Sequence, residues 1–267
     1  MHIKRVHIIC FSPTGTSRKV VHHINAGLNH PESSIVDITL PKSRKQPLRV
    51  AADELLVVAV PVYMGRVPKL LNEWFNGVSA AGSPAVCIVV YGNREYDNAL
   101  LELRDILNSR GAVPIAGAAF IGEHSFATAS TPAAAEGRPD SLDLTLATEF
   151  GRQIADKLAL GETLNALSRP KIPGALPYGG ITDIWDVDFI SVAGNCTQCG
   201  FCAKGCPVSA IDVANSSIVN THACITCCAC IKYCRQSARS ILPGPVKDAS
   251  KRLNTLYKAP KKPILFI

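Results

Sequence analysis

Over residues 1–161, short apolar runs alternate with longer stretches whose apolar positions recur at i, i+3 and i+4. The runs Val6–Phe11, Ile35–Leu40, Leu55–Val60, Ala85–Tyr91 and Val113–Ile121 have strand length and the near-continuous apolarity of strands covered on both faces. Between them, Val20, Val21, Ile24 and Leu28 make a helical stripe, as do Val67, Leu70, Leu71, Trp74 and Phe75, and Leu100, Leu103, Ile106 and Leu107. A further helix is expected from Asp140, a good N-cap, through Leu146, Phe150, Ile154 and Leu158 to a stop at Gly161. Strands alternating with helices predict βαβ units, so the fold class expected here is α/β, a doubly wound five-stranded parallel sheet.

Beyond that point the pattern changes twice. Residues 162–186 carry Pro170, Pro173, Gly174, Pro177, Gly179 and Gly180 with little periodicity, and read as a linker. Residues 187–242 are dense in cysteine, and Asn195–Val213 resembles Ala223–Leu242, an internal duplication. Residues 243–267 carry Lys247, Lys251, Arg252, Lys258, Lys261 and Lys262 and read as a basic tail, either solvated or a dock for an acidic redox partner.

Nine of the 11 cysteines fall between Cys196 and Cys234, while Cys10 and Cys87 sit on expected strands as core residues. Such crowding points to thiolate ligands rather than disulfides. Cys196, Cys199, Cys202 and Cys206-Pro207 form C-x2-C-x2-C-x3-C-P, and Cys224, Cys227, Cys230 and Cys234 repeat the spacing 28 residues later. Two intervening residues let one loop wrap three thiolates around a cubane face, and a remote fourth cysteine completes the set. The spacing is similar to that of bacterial two-cluster ferredoxins, in which the fourth cysteine of each run serves the other cluster. That resemblance implies two [4Fe–4S] clusters, one on Cys196, Cys199, Cys202 and Cys234 and the other on Cys224, Cys227, Cys230 and Cys206. It implies a small α+β ferredoxin-like domain over 187–242. Zinc would also take four sulfurs, but zinc pairs usually show two separated C-x2-C elements. Two departures stand out: Arg235 replaces the second proline, and Cys228 adds a thiol beside Cys227, read as a spare buried thiol with alternative ligation left open.

After the first expected strand, Ser12, Thr14, Gly15, Thr16 and Ser17 precede a helix. Hydroxyls and free N–H groups at a helix N-terminus suit a phosphate dianion, and a glycine permits close approach. Neither the Walker pattern nor G-x-G-x-x-G is present. The loop resembles the flavodoxin phosphate loop Ser/Thr-x-Thr-Gly-x-Thr, with Ser17 at its last hydroxyl. Two further loops lie where an open α/β sheet binds ligands: Pro61, Tyr63, Met64 and Gly65 after strand three, and Tyr91, Gly92, Asn93, Tyr96 and Asp97 after strand four. They resemble the loops that sandwich the flavin ring in flavodoxin-like proteins. The resemblance implies FMN, with Tyr63 and Tyr96 stacking on the ring and Gly65, Gly92 and Asn93 offering backbone contacts. The connection 122–139 is expected to lie over the flavin or to receive the second domain, against a bland reading as a mobile loop; His124 and Arg138 are weaker candidates for catalytic groups.

Taken together, the order of domains and loops resembles a family of fused flavodoxin-domain and bacterial-ferredoxin proteins, the flavodoxin-type ferredoxins of anaerobes. That implies an electron-transfer protein relaying between clusters and FMN for redox partner proteins. The alternative is an FMN-dependent reductase of a small acceptor such as a quinone, dioxygen or an organic molecule, fed by its own ferredoxin domain. A redox sensor is a third reading. The formal charge of +7 would suggest nucleic acid, but two clusters and a flavin phosphate would bring it to about +1, and no recognition helix is visible. No second dinucleotide unit is apparent, so direct reduction by a nicotinamide is not expected. There is neither an apolar stretch of membrane length nor a secretion signal, which places the chain in the cytoplasm. Oligomeric state leaves no mark.

Overall fold

A computed structural model describes residues 1–127, 134–180 and 186–267. Its central sheet has six strands in the order β10-β7-β6-β4-β1-β2. Five are parallel: Arg5–Cys10 (β1), Ser33–Asp37 (β2), Glu54–Pro61 (β4), Pro84–Tyr91 (β6) and Val113–Ile121 (β7). Leu48–Arg49 (β3) and Val78–Ser79 (β5) form a small side pair. Helices Thr16–Leu28 (α1) and Ser141–Leu160 (α4) cover one face, Asn72–Asn76 (α2) and Ala99–Ser109 (α3) the other. The two apolar stripes meet β-branched strands whose side chains alternate between the faces, so each face buries its own core. On the α1–α4 side the helices touch through glycines: a Cβ at Gly27 would collide with the Thr148 carbonyl, and one at Gly151 with the Ile24 carbonyl.

The sixth strand, Ile264–Phe266 (β10), corrects the five-stranded expectation. It comes from the segment read as a tail and pairs antiparallel with β7, Leu265 opposite Ala118. The same segment contains helix Pro245–Leu256 (α7), so these residues fold back rather than extend into solvent. The linker packs too: Leu167 and Ile172 are buried, and the Tyr178 hydroxyl donates to Asp105 Oδ2 at 2.6 Å. Part of that linker, 181–185, and part of the loop hypothesis, 128–133, lie outside the described residues.

Smaller differences have local causes. The second strand starts two residues early and ends at Asp37, because the Asp37 carboxylate accepts from the Thr39 N–H at 2.9 Å and turns the chain. Leu146 is 38 % exposed, since Asp143 and Ala147 occupy the inward face of α4. Gly161 is extended at φ −83°, and its lack of a side chain makes room for Leu167 rather than a left-handed stop.

The cysteine-rich unit pairs Ile190–Val192 (β8) with Arg239–Ile241 (β9) and carries two short helices, Phe201–Lys204 (α5) and Ala229–Lys232 (α6). Its two halves repeat in backbone as well as in sequence. Left-handed residues recur at Gln198 and Thr226, Gly200 and Cys228, and Ser209 and Ser237, each pair at the cysteine offset. The Cys206 sulfur accepts from the Ala210 N–H and the Cys234 sulfur from the Ala238 N–H, both at 3.3 Å. Cys228 thus occupies the left-handed helix-capping position that glycine fills in the first half.

Candidate functional site

A cavity of about 230 Å³ opens at the carboxyl ends of β1, β4, β6 and β7. Thr14 and Thr16 line it from the first loop. Here Gly15 is left-handed at φ +86°, which turns the chain so that the first N–H groups of α1 face outward. The Ser12 hydroxyl is committed elsewhere, accepting from the Arg18 N–H at 3.0 Å and holding the loop to the helix. Ser17 is fully buried, and its hydroxyl has no hydrogen-bond partner among the described residues.

Pro61, Tyr63, Met64 and Gly65 line a second wall. Tyr63 and Arg66 exchange both backbone hydrogen bonds at 3.0 Å around Met64 at φ +52° and Gly65 at φ +83°, a tight turn with both central residues left-handed. Arg66 is pinned by a bidentate pair with Glu102 at 2.7 and 2.9 Å, so the turn is held against α3. Burial pushes the Tyr63 hydroxyl well up, with Cys227, Cys228 and Cys224 adding to the rise, and the ring lines the same cavity as Ile225 and Thr226 of the cysteine-rich unit.

Tyr91 and Gly92 line the third wall, but Asn93, Tyr96 and Asp97 do not. Tyr96, expected to stack on a ring, is buried against Tyr91 with centroids 5.6 Å apart, because the loop folds inward onto α3. Asp97 pairs with Arg94 and abuts Gly65. Asn93 offers its side chain rather than its backbone: Nδ2 donates to the Tyr257 and Ala259 carbonyls at 2.6 and 3.0 Å, and Oδ1 accepts from the Lys261 N–H at 3.2 Å. This amide fastens the C-terminal segment to the sheet.

Two further segments line the cavity, the connection expected to lie over the flavin and a helix that carried no such expectation. Gly122, Glu123, His124, Ser125 and Phe126 bring the start of the loop after β7 to the cavity, and α7 adds Ala249, Arg252 and Leu253. Burial holds the His124 imidazole down at about 4, with Lys232 and Arg94 adding to the shift; its Nδ1 accepts from the Phe126 N–H at 3.2 Å, so the neutral ring carries its proton on Nε2. Arg138, the other weak catalytic candidate, forms a buried pair with Asp143. Only a fold that returns its last residues to the first sheet could have put α7 here.

The second unit closes the cavity with Ile225 and Thr226. Ile225 also lines a neighbouring cavity together with Cys206, Cys224, Cys227 and Cys230, so one side chain is common to both. The fourth cysteine of the first run therefore stands with the first three of the second. Across the seam Lys232 pairs with Glu123, Arg44 Nη2 donates to the Pro207 carbonyl at 2.6 Å, and the Tyr233 hydroxyl rests against Gly15. Cys196, Cys199, Cys202 and Cys234 lie nearer the surface, Cys199 exposed and held down by the Phe201 N–H. An Asn195 hydrogen bond to the Gln236 carbonyl, 2.9 Å, ties the flanks of Cys196 and Cys234 together. Burial drives Cys230 up to about 12, opposed by the charge of Arg239.

Among the described residues no three His, Cys, Asp or Glu side chains converge closely enough to hold a single metal ion. A lone ion needs sulfurs within about 2.3 Å of one centre. A four-iron cube spreads its thiolates over separate corners, and four of the five cysteines that line this cavity, Cys228 being the fifth, have the number and spacing of that donor set.

In its five parallel strands the sheet has the flavodoxin-like order 2-1-3-4-5, with the cavity at the switch point between β1 and β4. The chain is thus an α/β protein with a flavodoxin-like domain. No family model matches it, and no curated protein does. Solved structures do: a flavodoxin from the domain Archaea, at 12 % identity, covers 58 % of this chain and 99 % of its own, TM-score 0.41. Fusobacterium nucleatum flavodoxin bound to flavin mononucleotide, at 13 %, covers 58 % and 98 %, TM-score 0.40. The NADH:FMN oxidoreductase EMOB, at 17 %, covers 62 % and 94 %, TM-score 0.38. No helix among the described residues is long and apolar enough to cross a membrane.

Proposed function

We propose that this chain is an electron-transfer protein that holds FMN in the sheet-edge cavity and two [4Fe–4S] clusters on its eight spaced cysteines, in a ferredoxin-like second domain. The observation that carries the reading is the shared wall: Ile225 belongs to the cavity at the switch point and to the cavity of Cys206, Cys224, Cys227 and Cys230. When bound, these cofactors would supply exchange between two-electron and one-electron chemistry. The chain's own residues do the rest. Thr14, Thr16 and the N–H groups of the first turn of α1 receive a phosphate. Tyr63 and Tyr91 wall the ring site, and Ala249 and Leu253 of α7 add apolar lining to it.

The α7 roof favours transfer between redox proteins over turnover of a bulk small acceptor. The test is an anaerobic reductive titration of the pure protein with iron and FMN content measured. About eight irons and one FMN per chain, equilibrating rapidly, are expected; absence of FMN, or FMN that never exchanges electrons with the iron, would sink the reading.

A further inference from the structure

The seam uses one face of the second cysteine repeat. Ile225 and Thr226 close the sheet-edge cavity, Cys227 and Ala229 are buried, and Lys232 pairs with Glu123. The residues 28 positions earlier are Thr197, Gln198, Cys199, Phe201 and Lys204, and all five are exposed. Phe201 is 43 % exposed where Ala229 is 3 %. The unit thus carries the same face twice, and the first sheet covers it once. The uncovered copy has a defined surface. Arg235 lies over the Phe201 ring at 4.9 Å, and Lys204 stands on the same short helix as that ring. Neither cation has a carboxylate partner among the described residues. Gln198 fixes the loop beside Cys199, its Oε1 accepting from the Ser216 N–H at 2.8 Å and its Nε2 donating to Ser217 Oγ at 3.0 Å, next to exposed Ile218. Asp212, whose N–H donates to the Ile218 carbonyl, turns its own carboxylate to the Asn215 N–H at 2.6 Å. Exposed apolar groups rimmed by polar ones mark a contact surface.

We infer that the face of Gln198, Cys199, Phe201 and Lys204 is the docking surface for a separate, acidic flavodoxin-like electron carrier, which sets a carboxylate on Lys204 as Glu123 is set on Lys232. The inference rests on the proposed iron–sulfur reading and deepens it: the carrier exchanges electrons at the outer cysteines, Cys196, Cys199, Cys202 and Cys234, while the inner set faces the sheet-edge cavity. The seam argues for this occupant, since the covered copy of the face is closed by a flavodoxin-like sheet edge that meets its lysine with a carboxylate. The two unpaired cations add charge complementarity, which speeds encounter and fixes orientation. Each encounter moves one electron: the carrier's reduced flavin loses it and the outer cluster gains it.

The experiment titrates the holoprotein by calorimetry with a purified flavodoxin of net negative charge, both proteins oxidised, at low and at high salt. Stopped-flow mixing with the reduced flavodoxin then gives the transfer rate. Wild type should bind, and bind more weakly at high salt. Lys204→Glu should weaken binding and slow transfer about tenfold at low salt, and Lys204→Arg, which keeps the charge, should retain both. Lys251→Glu reverses an exposed cation of α7 and should behave as wild type. Iron content and photoreduction by a deazaflavin should be equal in all four proteins, which separates a lost dock from a lost cluster. No binding by wild type, unchanged affinity in Lys204→Glu, or an equal loss in Lys251→Glu would overturn the inference. Self-association of the chain that Lys204→Glu abolishes would overturn it too, by making the occupant a second copy. Wild type without iron would instead remove the cluster reading on which it stands.

Discussion

At the scale of single residues, the candidate site was legible as far as identity and spacing carry it. The eight cysteines and the Ser12–Ser17 loop need no tertiary information to be noticed. What could not be read was which side chains turn inward. Tyr96 and Asn93 looked like ligand contacts because they follow a strand at the right edge, yet one is core and the other a clasp. Cys228 looked like an extra thiol, and the backbone gives its better description: a residue at φ +57° where the repeat uses Gly200. A non-glycine residue there costs on the order of 1 kcal/mol. Cys228→Ala and Cys228→Gly both remove the buried thiol, but only glycine relieves the backbone. Chemical denaturation should therefore find the glycine variant about 1 kcal/mol more stable than the alanine variant; equal stabilities would mean the left-handed turn carries no strain.

Among the elements, the long buried strands were read to within a residue or two, since a run such as Leu55–Val60 has no other stable place than mid-sheet. The edge strand was not. Ile264–Phe266 is three residues in a lysine-rich context, too short to show a period, and its partner lies far back in the sequence. Its role is physical: it covers the open edge of β7, which would otherwise offer unpaired N–H and C=O groups. Asn93 holds the approach to that strand with three hydrogen bonds while 1 % exposed. Asn93→Ala should cost about 1–3 kcal/mol, the range for buried groups left unpaired. In hydrogen exchange, residues 257–267 should lose protection while β1 and β4 keep theirs. Unchanged exchange in that segment would show that β10 pairs without the clasp.

Across the whole molecule, the seam between the units holds two groups that respond to acid over different ranges. His124 is buried neutral, with its pKa brought from 6.5 to about 4 by burial and then by the charges of Lys232 and Arg94. Between those values the unfolded chain binds a proton that the folded one does not, so stability falls as pH drops from 6.5 toward 4. For Glu123, burial alone would raise the carboxyl, but the Lys232 and Gly137 hydrogen bonds outweigh it and leave it below 4.5. Its contribution is complete above 4.5 and is lost as pH falls through the lowered value. Thermal melts from pH 7 to 3.5 should show His124→Gln flattening the upper part of this slope and Glu123→Gln only the part below 4.5. A His124→Gln profile parallel to wild type would mean the imidazole is not held neutral. The expectation that the 122–139 connection could receive the second domain came from its place at the sheet edge, but the contact itself, Lys232 to Glu123, joins residues that no local pattern connects.

The return of β10 to the first sheet also bears on the order in which the protein can be assembled. The cysteine-rich unit is topologically an insertion, bracketed by α4 on one side and by α7 and β10 on the other. During synthesis the sheet and its cavity emerge first, then the cysteines, and α7 and β10 follow all of them among the described elements. A nascent chain therefore passes through a stage in which the Ser12–Ser17 loop is formed and α7 does not yet line the cavity. A bulky ligand of this cavity can enter then without prying anything apart, and α7 and β10 settle against it afterwards.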